Sequence, residues 1–161
     1  MRKTILIAAG AAALLSGCAT PVKTVQSLPA DRIAEFAVAD VGVELAVQEA
    51  RATLPEKLKA ALNTTLPGCA KGTVPVKMTV RVDSYKEQDG LKTILIGDMT
   101  QLAGLVKFID PKDGTVLGEY FVDQMQGGGG LLGMAIMADA ETKLSQGFAD
   151  QVCKEVFKKK A

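Results

Sequence analysis

Between residues 74 and 82 the chain alternates without a break: Val74, Val76, Met78, Val80 and Val82 fall on one side of an extended strand. Lys77, Thr79, Arg81 and Asp83 fall on the other. A period of two with that contrast describes a strand packed on one face and wetted on the other, so the sheet that contains it has a covered side and an open side.

The other periodic segments supply its neighbours and its cover. Residues 33–45 are rich in β-branched and small residues, with Ala37, Ala39, Val41, Val43 and Leu45 on one face, and predict a first strand. Thr53-Leu54-Pro55-Glu56 is a capping-box pattern that opens a helix with the stripe Leu54, Leu58, Ala61 and Leu62. Leu66-Pro67-Gly68 stops it. After the alternating strand comes a polar turn ending in Asp89-Gly90, then a strand over 91–96, a bulge or turn at Gly97-Asp98, and a strand over 102–109 with Gly104 inside it. Asp110-Pro111-Lys112-Asp113-Gly114 is turn chemistry throughout, proline presetting φ and Gly114 supplying a positive φ, and predicts a hairpin into a strand over 115–125. Gly127 to Gly130 break that strand. From 131 to 158, Ile136, Ala140, Leu144, Phe148, Val152 and Val156 recur at a spacing of four and predict a long amphipathic helix. The expected order is β-α-β-β-β-β-α, an α+β domain whose mostly antiparallel sheet carries two packed helices.

The N-terminus fixes an address. Arg2 and Lys3 precede twelve uncharged residues, 4–15, too short for the ~20 that span a bilayer but right for a secretory leader. Leu15-Ser16-Gly17-Cys18 then resembles the bacterial lipobox. That resemblance implies diacylglyceryl transfer to Cys18, cleavage before it and acylation, as with palmitate, of the new amino group. Ala19, rather than an aspartate, resembles the sorting signal of lipoproteins sent to the outer membrane. One myristoyl-sized chain holds a protein only marginally, whereas two or three on one cysteine make a lasting anchor. The reading divides the chain into a signal peptide (1–17), a lipidated, mobile tether (18–30) with prolines at 21 and 29, and one domain (31–161).

Removing residues 1–17 of 161 leaves 144, ample for one core, with 17 basic against 18 acidic residues. A balance near zero provides no footprint for nucleic acid. The chain has no histidine, so the commonest general base and metal ligand is missing and a Ser-His-Asp triad is excluded; Ser27, Ser84 and Ser145 have nothing of that kind to activate them, and no S-x-x-K is present. No cofactor or metal is expected. Gly127 to Gly133 lacks the Gly-Lys-Ser/Thr of a phosphate loop and reads as a strand-to-helix hinge. Asp110 and Asp113 are explained by hairpin geometry rather than by catalysis or calcium. Besides Cys18 there are Cys69 and Cys153, which in an oxidising compartment form either one bridge or two buried thiols. The condition for a bridge is that Cys69, past the end of the first helix, meets Cys153 in the last turns of the second.

Ile96-Gly97-Asp98, Leu102-Ala103-Gly104-Leu105-Val106, Ile109-Asp110 and Asp113-Gly114-Thr115-Val116-Leu117-Gly118, followed by a glycine-rich joint and an amphipathic helix, are similar to a family of small Gram-negative lipoproteins. The resemblance implies a fold akin to the curli-secretion lipoprotein and TolB N-terminal type, and brings no catalytic residues with it. The expected function is a membrane-anchored envelope lipoprotein, a non-catalytic binding or assembly module with an envelope protein partner. The alternative is a carboxylate-only enzyme such as a glycan hydrolase, which requires two acids about 5 to 10 Å apart in a cleft.

Overall fold

The computed structural model describes residues 21–48, 50, 52–89, 98–128 and 139–157. Among them the elements run β1 (Val22–Gln26), β2 (Phe36–Leu45), α1 (Leu54–Thr65), β3 (Val74–Lys86), β4 (Asp98–Ile109), β5 (Val116–Gly128) and α2 (Ala140–Val152), with a π-helical turn, Cys153–Phe157, continuing α2. The class is α+β: one five-stranded sheet in the order β1-β5-β4-β3-β2, antiparallel except where β2 pairs parallel with β3 through the crossover helix α1. Both helices pack on the same face and against each other.

The alternation in β3 survives folding intact. Val76, Met78, Val80 and Val82 are buried, facing Leu58 and Leu62 of α1 and Leu144, Phe148 and Val152 of α2 within one core cluster. Phe108 sits edge-on to both Tyr120 and Phe157, joining β4, β5 and the turn after α2. Each large aliphatic or aromatic side chain so buried contributes about 1.5 to 3 kcal/mol relative to leaving it exposed.

Four departures from the sequence expectation have physical causes. First, residues 22–26, read as mobile tether, form β1 on the free edge of β5, in register from Val22 opposite Val122. The segment is sewn down further on: Leu28 is buried, its backbone N–H donates to the Tyr120 hydroxyl at 2.8 Å, and Gly118 leaves room for its side chain. Burial raises the Tyr120 pKa, partly offset by that donated N–H. The folded domain therefore begins before residue 31, and an open strand edge, invisible in the local sequence, is the reason.

Second, β2 starts at Phe36 after a short 3-10 turn, and its pairing slips between Val38 and Asp40. One extra residue at Ala39 reverses the alternation, so Phe36 and Val38 align with inward positions ahead of it, and Val41, Val43 and Leu45 beyond it. Ala37 and Ala39 do not share the inward face. Third, Thr53 makes no cap hydrogen bond to its helix; its hydroxyl donates instead to Glu141 of α2. Fourth, β5 runs on to Gly128, past the expected end, and β4 starts at Asp98. The expected strand over 91–96, the glycine-rich hinge from 129 and the expected start of the long helix at 131–138 lie outside the described residues.

Candidate binding surface

Because the inward sets of β2 to β5 are committed to the core, the other set forms a face that neither α1 nor α2 covers. Strand register places Glu44, Arg81, Leu105, Phe121 and Lys23 in one row across all five strands. The row below it contains Thr79, Lys107 and Glu119. Charges of opposite sign neighbour one another: Lys77 Nζ lies 3.8 Å from Asp40, Lys107 Nζ 3.5 Å from Glu119, and Arg81 Nε 2.7 Å from Asp83. The hydrogen bond and charge of Asp83 raise the Arg81 pKa further above its already high value. Gln101 Nε2 donates to Asp123 at 2.8 Å. Exposed pairs of this kind contribute about 0 to 1 kcal/mol each, so they define the face's charge pattern more than they hold the fold together.

A shallow hollow on this face is lined by Glu44, Thr79, Val80, Arg81, Leu105 and Lys107; another opens at the β1 edge, between the face and α2, lined by Pro21, Lys23, Phe121, Asp123, Gln124, Met125 and Gln151. Each contains a single carboxylate, so neither supplies the acid pair that glycoside hydrolysis requires. Among the described residues there is no group of three or more His, Cys, Asp or Glu placed to hold a metal ion. No helix among them is long and apolar enough to cross a membrane.

Cys69 and Cys153 are joined in a disulfide, their Cα atoms 5.7 Å apart, linking the chain after α1 to the first residue after α2. At the other end of the same helix pair, Glu141 is 4% exposed and accepts from both Thr53 Oγ1 (2.9 Å) and Lys57 Nζ (2.7 Å) on one oxygen. Its second oxygen and the hydroxyl of fully buried Ser145 find no partner among the described residues. This buried acid had no mark in the sequence, where Glu141 falls inside the expected helix over 131–158 and is not one of its apolar positions. Asp110 and Asp113 are accounted for by the hairpin: Asp110 accepts from the Lys112 N–H, Asp113 from the Thr115 N–H, and Gly114 has φ 77°. Cys18 lies outside the described residues.

No protein-family model and no curated protein matches the chain. Among solved structures it is similar to the PelC dodecamer of Paraburkholderia phytofirmans in two crystal forms, at 14% and 12% identity with TM-scores of 0.55 and 0.56, covering 85% of this chain and 98% and 97% of that one. A minor lipoprotein from Acinetobacter baumannii matches with a TM-score of 0.45 at 12% identity, over 75% of this chain and 92% of that one. At these identities the PelC likeness shows the fold.

Proposed function

We propose that the chain is an envelope lipoprotein, held by acyl chains on Cys18, that acts as a non-catalytic binding or assembly module. The observation that carries this reading is the asymmetry of the sheet. One face is sealed by two disulfide-linked helices, and the other, uncovered by either helix, carries ordered rows of charge around Leu105 and Phe121. Such a face, with the edge strands β1 and β2 on either side, is suited to docking another protein. That PelC, which shares the fold, is described as a dodecamer supports assembly as the use of this scaffold. The lipobox and Ala19 support a periplasm-facing position on the outer membrane, and the near-zero net charge of the mature chain gives no support to nucleic acid as a partner.

Two measurements test the reading. Cys18→Ala is expected to abolish labelling by a fatty-acid analogue and to leave an uncleaved or soluble precursor; labelling retained in the variant ends the lipoprotein assignment. Crosslinking in intact cells, followed by identification of the products, is expected to capture a multimer or an envelope partner through the open face. The module reading fails if the wild type crosslinks to nothing, or if Arg81→Glu and Phe121→Asp leave the products unchanged.

A further inference from the structure

The anchor and the sheet are closer than a tether would make them. Pro21 is fixed to the edge of β5, its carbonyl accepting from the Asp123 N–H at 2.7 Å. Only Ala19 and Thr20 separate it from Cys18. Three residue steps reach at most about 11 Å, so a lipid on Cys18 holds this point of the domain against the headgroups. Since β1 is antiparallel to β5, with Lys23 opposite Phe121 and Val22 opposite Val122, Pro21 lies at the end of β1 nearer Met125, beside Asp123.

Two large apolar side chains are exposed at that end of the sheet. Met99 and Met125, 52% and 50% exposed, lie on the open face of adjacent strands, Met125 opposite Gln101 and Met99 opposite Gly127. The Met99 side chain occupies the space a Cβ on residue 127 would need, so glycine there lets it lie against β5. Met125 also lines the same edge hollow as Pro21. Flexible, polarizable methionine suits an irregular acyl boundary, and a chain that after removal of residues 1–17 has 17 basic against 18 acidic residues gains little from lipid charge.

We infer that the Met99–Met125 end of the sheet rests on the phospholipid bilayer that receives the Cys18 lipid, so the sheet stands on the membrane instead of swinging from a leash. The inference rests on the lipoprotein reading above. In this orientation the hairpin at Asp110 to Thr115 points away from the bilayer, about 34 Å from Met99 along β4.

The test uses the lipidated mature protein in vesicles of phosphatidylethanolamine and phosphatidylglycerol containing a headgroup-level spin-labelled lipid. Met99→Cys, Met125→Cys and Lys112→Cys are each labelled with a small fluorophore under non-reducing conditions, which leave the Cys69–Cys153 bridge closed. Quenching at 99 and 125 is expected to exceed that at 112 severalfold and to be insensitive to salt. Equal quenching at all three positions, in a sample whose mass shows acylated Cys18, overturns this inference alone. A sample whose Cys18 carries no lipid overturns the anchor reading and this inference with it. Shielding of 99 and 125 already in vesicle-free solution, together with a multimer's mass, assigns the patch to a second copy and overturns the membrane seat.

Discussion

The two ends of the sheet are closed by different means. At the end where β4 turns into β5, closure is local or covalent. The Asp110 N–H donates to Thr115 O and the Gly114 N–H to Asp110 O, both at 2.9 Å, and the disulfide ties the chain after α1 to the end of α2. At the end where β5 finishes and β4 begins, closure depends on polar side chains reaching between elements. Glu141 gathers Thr53 and Lys57 from α1. The Asp98 carboxylate accepts from the Asp89 and Met99 N–H groups and from Lys86, and its backbone carbonyl accepts from Gln88. One end is fixed by a covalent bond and by a hairpin's own backbone; the other is held by charged and polar side chains drawn from several elements. In the orientation inferred here the charge-held end is the one at the membrane.

The largest expected effect comes from the covalent end. Replacing Cys69 and Cys153 together by Ser opens a loop of 84 residues, for which chain entropy gives a loss of about 4 to 5 kcal/mol as an upper estimate. Urea unfolding of the wild type with and without reductant is expected to reproduce that loss, and the double variant should not respond to reductant. A variant as stable as the oxidised wild type would remove the bridge from the comparison.

A smaller loss belongs to the other end. Glu141→Ala takes the acceptor from the Thr53 hydroxyl and from Lys57, whose side chain is 39% exposed and can turn to water, so the cost is about 2 kcal/mol rather than that of stranding a buried charge. Glu141 and Cys153 lie twelve residues apart along the helix, about 18 Å. If the two ends are independent, the losses from Glu141→Ala and from the cysteine pair add within about 0.5 kcal/mol. A clear coupling between them would show that the helix pair behaves as one unit and blur the distinction.

The smallest effect is one of pH. The Asp89 N–H, then Lys86, then the Met99 N–H hold the Asp98 carboxyl well below the usual carboxylate range. Because the folded pKa is the lower one, the contribution is complete above the ordinary carboxylate pKa of about 4 and is lost as pH falls through the folded value. Between about pH 5 and pH 2 the wild-type melting temperature is therefore expected to fall more than that of Asp98→Asn. Parallel curves would mean that the contacts around Asp98 do not support this end.

Much of the fold was legible because it is written at short range. The inward set of β3, the helix stripe Leu54, Leu58 and Leu62, and the run Leu144, Phe148, Val152 and Val156 all follow from periods of 2 or about 3.6. Positive φ at Gly114 followed from turn chemistry. Gly104 shows the limit. It reads as a glycine interrupting a strand, whereas in the structure a Cβ there would strike the carbonyl of Arg81 on β3. The capping box failed for the same kind of reason: Thr53 had two uses for its hydroxyl, and the acceptor it uses is 88 residues away.

By itself, then, the sequence determined the class of the domain, the side of β3 that is buried and the turn at 110–114, because each depends on residues within a few positions of one another. Only the tertiary structure decided that Val22–Gln26 is a strand, that β2 slips at Ala39, that Cys69 meets Cys153 and that Glu141 is buried between helices. Each of those depends on a partner supplied by another element: the free edge of β5, the register of β3, the ends of two helices brought side by side. A local pattern can state what a segment prefers, but which surface it meets is settled when the sheet closes.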